Sequence, residues 1–131
     1  MTWQSVYARF NAWRKNGSWQ GVWRRLLREN GAHLDCSSVQ LDGSHTPATN
    51  GGEAAGYQGR KKARTTTALF LADNRGQPLA SASPQAGNHH DTHRLNALFG
   101  EICAAREAAT IPVAGLFLNA DKAFDTTDFR Q

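Results

Sequence analysis

Two aspartates in this chain stand at the ends of short apolar runs, 79 residues apart. Asp42 follows Leu41 in Leu41-Asp42-Gly43-Ser44-His45-Thr46-Pro47, and Asp121 follows Ala120 in Leu116-Phe117-Leu118-Asn119-Ala120-Asp121-Lys122. A carboxylate at the tip of a buried strand is costly unless something charged pairs with it. Two such tips on neighbouring strands would make half of a divalent-cation site. Between them runs Gly59-Arg60-Lys61-Lys62-Ala63-Arg64, a compact cationic strip. Hard oxygen ligands beside a polyanion grip are what metal-assisted phosphodiester chemistry on nucleic acid requires. The plain alternatives are an Asp-Gly turn for Asp42, a strand-end cap for Asp121, and a basic loop that protects a sheet edge.

Charge along the chain is uneven. The 131 residues carry a net +4. Residues 1–30 hold six Arg or Lys and one acid, residues 31–58 hold three acids and no base, and residues 59–64 add four cations. Two basic islands around an acidic segment suit a protein that grips a polyanion and does chemistry on it, or else a solvated basic face. Arg24, Arg25 and Arg28 of the first island and Arg60, Lys61, Lys62 and Arg64 of the second are the candidate phosphate contacts. No apolar run is long enough to span a bilayer, and no signal segment opens the chain, so a cytoplasmic protein without a membrane partner is expected. Cys36 and Cys103 lack metal spacing and read as ordinary thiols.

The elements that would position these groups can be read from periodicity. Trp3, Val6, Tyr7, Phe10 and Trp13, then Trp19, Val22, Trp23, Leu26 and Leu27, recur at helical spacing. Gly17 stops the first helix, Ser18 is the expected N-cap of the second, and Gly31 ends it. Residues 1–32 thus read as a basic, helix-turn-helix-like hairpin whose aromatic stripes are expected to be core. From residue 33 onward the pattern changes. Strands are expected at 35–47, 65–72 and 79–83, with a hairpin turn at Asp73–Gly76 and loops at 48–58 and 84–88. A helix is expected over 92–109, with Asp91 as its N-cap. A fourth, near-continuously apolar strand over 113–120 is expected at the sheet centre. His89, His90 and His93 read as structural or solvated histidines rather than a zinc site, and His45 as a neighbour of Asp42.

Three strands can form an antiparallel meander. The helix can then cross over to lay the fourth strand parallel to the first. The expected fold is therefore α+β or α/β: an all-α hairpin over 1–32, then a partial mixed sheet over 33–131 in which Asp42 and Asp121 come from adjacent strands.

The motifs, taken in order, resemble the DDE-type insertion-sequence transposases of bacteria. They are Leu41-Asp42-Gly43-Ser44-His45-Thr46, then Gly59-Arg60-Lys61-Lys62 leading into a Thr-rich strand, then Pro84-Gln85-Ala86-Gly87-Asn88-His89-His90-Asp91, then Asn119-Ala120-Asp121-Lys122-Ala123-Phe124-Asp125. The segment Trp3 to Trp19 resembles the region that precedes the catalytic domain in the same family. The resemblance implies a ribonuclease-H-like fold and strand cleavage and transfer at transposon ends. It implies Asp42 and Asp121 as the first two catalytic carboxylates and ligands of two Mg2+ (or Mn2+) ions. Double-stranded DNA would be the partner, and a homodimer is among the assemblies open to the complete protein. The family's third acid, a glutamate on a later helix, has no counterpart here, and neither Asp125 nor Asp128 takes its role. The chain thus reads as a partial catalytic domain, inactive alone. Two rivals stay open: a non-catalytic DNA-binding remnant that regulates transposition, and an unrelated small α+β regulator.

Overall fold

A computed structural model describes residues 1–49, 52, 54–90, 93–111 and 115–129. The chain opens with α1 (Trp3–Lys15) and α2 (Ser18–Glu29). The break between them is tighter than expected. Gly17, not Ser18, takes the N-cap position, with a left-handed φ of 77°. Asn16 supplies the capping oxygen, its Oδ1 accepting from Ser18 N at 3.0 Å. Glycine suits that backbone because a Cβ would strain it. Asn30 rather than Gly31 caps the end of α2.

The rest of the chain is a mixed sheet with one covering helix. Its strands are β1 (Ser38–Pro47), β2 (Gly56–Gln58), β3 (Ala63–Asp73), β4 (Pro78–Ser81), β5 (Gln85–Ala86) and β6 (Phe117–Ala120), and α3 (Leu95–Ala108) lies between β5 and β6. β1 pairs antiparallel with β3 and parallel with β6, while β2, β4 and β5 all pair antiparallel with β3. The fold is α+β, with the meander, crossover helix and parallel strand in the expected order. Two of its strands fall in segments expected to be loops. β2 and β5 are only three and two residues long, too short for an alternating pattern to reveal them.

Three further expectations are corrected. The strand expected over 113–120 is found at Phe117–Ala120, at the sheet's edge rather than its centre, with all four residues exposed. Among the described residues only β1 flanks it, and the exposure of all four residues shows that its apolar composition did not signal burial. Residues Val113 and Ala114 lie outside the described part. The crossover helix begins at Leu95, with Arg94 at its N-cap at a φ of 56°. Asp91, the expected cap, also lies outside the described residues. Finally, the aromatic stripes are not core: Trp3 and Tyr7 are 70% and 56% exposed, and α1 buries no residue.

The core lies between the sheet and α3. Val39, Leu41, Leu69 and Leu71 face Leu95, Leu98 and Ile102, and Leu27 of α2 joins them. Burial on β1 alternates: Val39 and Leu41 are buried, while Asp42 is exposed. One sheet face is therefore covered by α3 and the other is open. α2 is tied to the sheet through Leu27 and through Trp23, whose Nε1 donates to the Leu79 carbonyl at 3.4 Å. Asp73 fastens the hairpin that closes β3. Its carboxylate is fully buried and accepts from the backbone N–H groups of Asp35, Arg75 and Gln77 at 3.0, 3.0 and 2.7 Å.

Candidate metal centre and nucleic-acid interface

The parallel pairing of β1 with β6 runs from Ser38 opposite Phe117 to Leu41 opposite Ala120. The pairing ends there, and one further step of the same register would set Asp42 beside Asp121, which lies just past the end of β6. Neighbouring strands lie about 4.8 Å apart, and paired positions in a parallel ladder point to the same face. The two aspartates thus emerge side by side on the open face, at the carboxyl ends of the paired segments. Both are exposed, and among the described residues neither forms an ion pair.

Each aspartate is held by local structure that the sequence explains. Asp42 sits in mid-strand, between buried Leu41 and half-buried Gly43, and Gly43 N donates to its Oδ1 at 2.8 Å. Asp121 ends β6 and opens a single helical turn, Lys122–Phe124. Its side chain makes no capping hydrogen bond; its carbonyl accepts from Phe124 N at 2.8 Å. Phe124 is 3% exposed and inserts into the core, so the turn is pinned and Asp121 with it. Phe129 then packs edge-on against Phe99, with ring centroids 5.0 Å apart. Periodicity gave no sign of these anchors, because single-turn helices have none.

The donor set is hard oxygen, which suits Mg2+ or Mn2+ better than softer ions. Asp42 and Asp121 would hold such an ion together with water. Among the described residues no cluster of three or more acidic, histidine or cysteine side chains is assembled. The histidines stand apart from the pair. His89 and His93 stack at 4.2 Å in the loop before α3, and His93 and His90 line a small cavity with Gly43 and Leu98. Gly43 and His45 alternate with Asp42 along β1, so they belong to the α3 side of the sheet. His45 is near Asp42 in sequence but not on its face.

The two basic islands are also placed. Arg60 and Lys61 lie in the single turn Gly59–Lys61, Lys62 follows with a left-handed φ of 49°, and Arg64 is in β3. All four are exposed, and Arg64 also donates to the Ala55 carbonyl at 3.0 Å. They flank the far end of β1, beyond Asp42. Asp42 opposes Phe70, and Arg64 is six residues further back along β3. Six strand residues span about 20 Å, or six steps of a nucleic-acid backbone. Arg24, Arg25 and Arg28 are exposed on α2, with Arg25 paired to Glu29 at 2.7 Å. Arg24 borders an open groove of about 580 Å³ that also contains Phe70, the residue opposite Asp42.

The Cys103 thiol lacks the surroundings of a nucleophile. Burial pushes Cys103 upward, and this outweighs the opposing pull of Arg106. Arg106 itself is 2% exposed, and burial lowers its guanidinium pKa while both cysteines partly offset that. Among the described residues no helix is long and apolar enough to cross a membrane. Comparison with protein-family models, curated proteins and solved structures finds no match to this chain.

Proposed function

We propose that this chain carries part of the catalytic centre of a DNA transposase of the DDE type. The reaction class is metal-dependent phosphodiester cleavage and strand transfer at the ends of an insertion sequence. The observation that carries this reading is the pairing of Leu41 with Ala120, which sets Asp42 and Asp121 side by side. The strand order supports a ribonuclease-H-like reading: an antiparallel meander of β1, β3 and β4, a crossover helix, and β6 parallel to β1. So does the order of sequence motifs described above.

In this reading Asp42 and Asp121 bind Mg2+ or Mn2+, which when bound supplies charge stabilisation at the attacking and leaving oxygens. Arg60, Lys61, Lys62 and Arg64 hold backbone phosphates at one end of the sheet, and Arg24, Arg25 and Arg28 hold them beside the groove on α2. Two carboxylates are too few for efficient turnover, since residues that act as a unit lose most activity when one is lacking. The described residues assemble no third acid, which also favours a second reading, a DNA-binding regulator of transposition. Substituting Asp42 and Asp121 together by Asn separates the two roles. Loss of Mn2+ binding with retained DNA binding makes the aspartates ligands. Loss of neither makes them structural.

A further inference from the structure

The helical hairpin exposes what its sequence pattern would bury. Six aromatic side chains of α1 and α2, Trp3, Tyr7, Phe10, Trp13, Trp19 and Trp23, are all 39% or more exposed. Leaving such rings in water is unfavourable, and a contiguous group of them marks a binding surface. Cations stand among the rings. Arg9 lines an open groove of about 640 Å³ with Phe10, Trp13 and Trp19. Arg24 lines the groove of about 580 Å³ with Trp19, Trp23 and Phe70. Trp19 belongs to both grooves, so the two adjoin. Phe70 in turn stands opposite Asp42 across the sheet. Rings and guanidinium groups therefore mark a path from α1, past α2, to the carboxylate site.

We propose that this path is a stacking track for single-stranded DNA, whose unpaired bases lie on the indole rings while Arg9 and Arg24 take its phosphates. The proposal deepens the DNA reading above, and rests on it where the track meets Asp42. The chemistry of the surface selects the occupant. Residues 1–30 hold six Arg or Lys and one acid, and that acid, Glu29, is already paired with Arg25. Such a surface attracts a polyanion rather than a neutral ligand. A duplex offers phosphates but hides the faces of its bases, so it would leave the rings uncovered. A single strand offers both, and stacking on a ring accepts any base. A helix that lies on a membrane separates its apolar side from its cationic side. Here Arg9 and Arg24 share concave grooves with the rings. The platforms are also held in place. Trp23 Nε1 donates to the Leu79 carbonyl, and Trp13 meets Trp19 edge-on with ring centroids 5.6 Å apart. Side chains already fixed in the free protein lose little freedom on binding.

All four tryptophans of the chain lie on this hairpin, so stacking reads out as quenching of tryptophan emission. The test titrates the full chain, in EDTA, with oligothymidine of about 20 nucleotides and with a blunt duplex of the same length. Oligothymidine is expected to quench the emission and to bind about tenfold or more tighter than the duplex. Trp19→Leu keeps apolar bulk but loses the ring, and should weaken single-strand binding about fivefold or more. Trp19→Phe, which keeps a ring, should stay within about twofold of the parent. Arg9→Gln and Arg24→Gln should each flatten the slope of log affinity against log salt by about 0.7. Should Trp19→Leu lose its helical circular dichroism, Trp13→Leu and Trp13→Phe take its place, on a helix that buries no residue. Failure to bind oligothymidine overturns the proposal, even in a chain that binds phosphatidylserine vesicles through the hairpin. So does an unquenched complex, duplex binding as tight as single-strand binding, or equal affinity of the Leu and Phe variants. Duplex binding alone would sink the track and leave the paired-carboxylate reading standing. Single-strand binding by a chain that takes up no Mn2+ would do the reverse.

Discussion

Asp42 and Asp121, 79 residues apart in sequence, become neighbours because Leu41 of β1 pairs with Ala120 of β6. The pairing is enforced by burial of Leu41 against α3 and by the anchoring of Phe124 just beyond Asp121. The two carboxylates then lie on the open sheet face, and among the described residues neither forms an ion pair, an arrangement that a bound divalent ion would stabilise.

Asp73 is a fully buried carboxylate on which the stability of the β3–β4 hairpin depends. Three backbone N–H groups lose their acceptor in Asp73→Ala, in a turn whose Asp73 is buried and whose other residues are exposed. A hydrogen bond to a charged group is worth about 1.5–3 kcal/mol, and with donors only partly buried a total loss of about 3 kcal/mol is expected. Asp73→Asn, which keeps one acceptor oxygen, should lose roughly half as much. Urea unfolding followed by circular dichroism measures both. Equal stability of Asp73→Ala and the parent chain would refute the role.

Glu101 gives the fold a pH dependence of known sign. Its Oε2 accepts from Ser83 N at 2.7 Å, and the hydrogen bonds with Ser83 hold its carboxyl below the usual range. A depressed folded-state pKa contributes stability above about pH 4.3 that is lost as pH falls through the folded value. The residue is exposed, so the contribution is under about 1 kcal/mol. Glu101→Gln should melt a few degrees lower than the parent at pH 7 and coincide with it near pH 3. A constant difference across that range would assign the effect to packing instead.

The basic turn should show itself in salt dependence. Replacing Arg60, Lys61 and Lys62 by Ala removes three exposed cations. Duplex-DNA affinity should fall, and the slope of log affinity against log salt should flatten by about 2 to 3. Fluorescence anisotropy from 50 to 200 mM salt reads both. An unchanged slope would mean that these residues serve only the turn entering β3.

Much of the architecture was legible because its residues obey simple periods. The helical spacing from Trp3 to Leu27 gave α1 and α2, and the alternation through Val39 and Leu41 gave β1. The hairpin at Asp73–Gly76 carried its own turn chemistry. What was hidden depends on partners distant in sequence. β5 exists through pairing of Gln85 and Ala86 with Thr67 and Thr66, and a Cβ on the adjacent Gly87 would come within 2.7 Å of the Thr65 carbonyl oxygen. The exposure of Trp3 to Trp23 could not be read either, since periodicity says which side chains share a face but not whether anything covers it. At the candidate site, the two aspartates could be named from their apolar flanks, whereas the turn anchored by Phe124 could not.

The most direct test of the paired-carboxylate centre is Mn2+ binding to the full chain, followed by electron paramagnetic resonance of the free ion. The parent chain should bind one Mn2+ with a dissociation constant on the order of 1 mM, as expected for few carboxylate ligands and several waters. Asp42→Asn and Asp121→Asn should each weaken binding at least tenfold while leaving thermal stability within about 0.5 kcal/mol, as for exposed substitutions. Equal Mn2+ affinity in the parent and both variants would contradict the account.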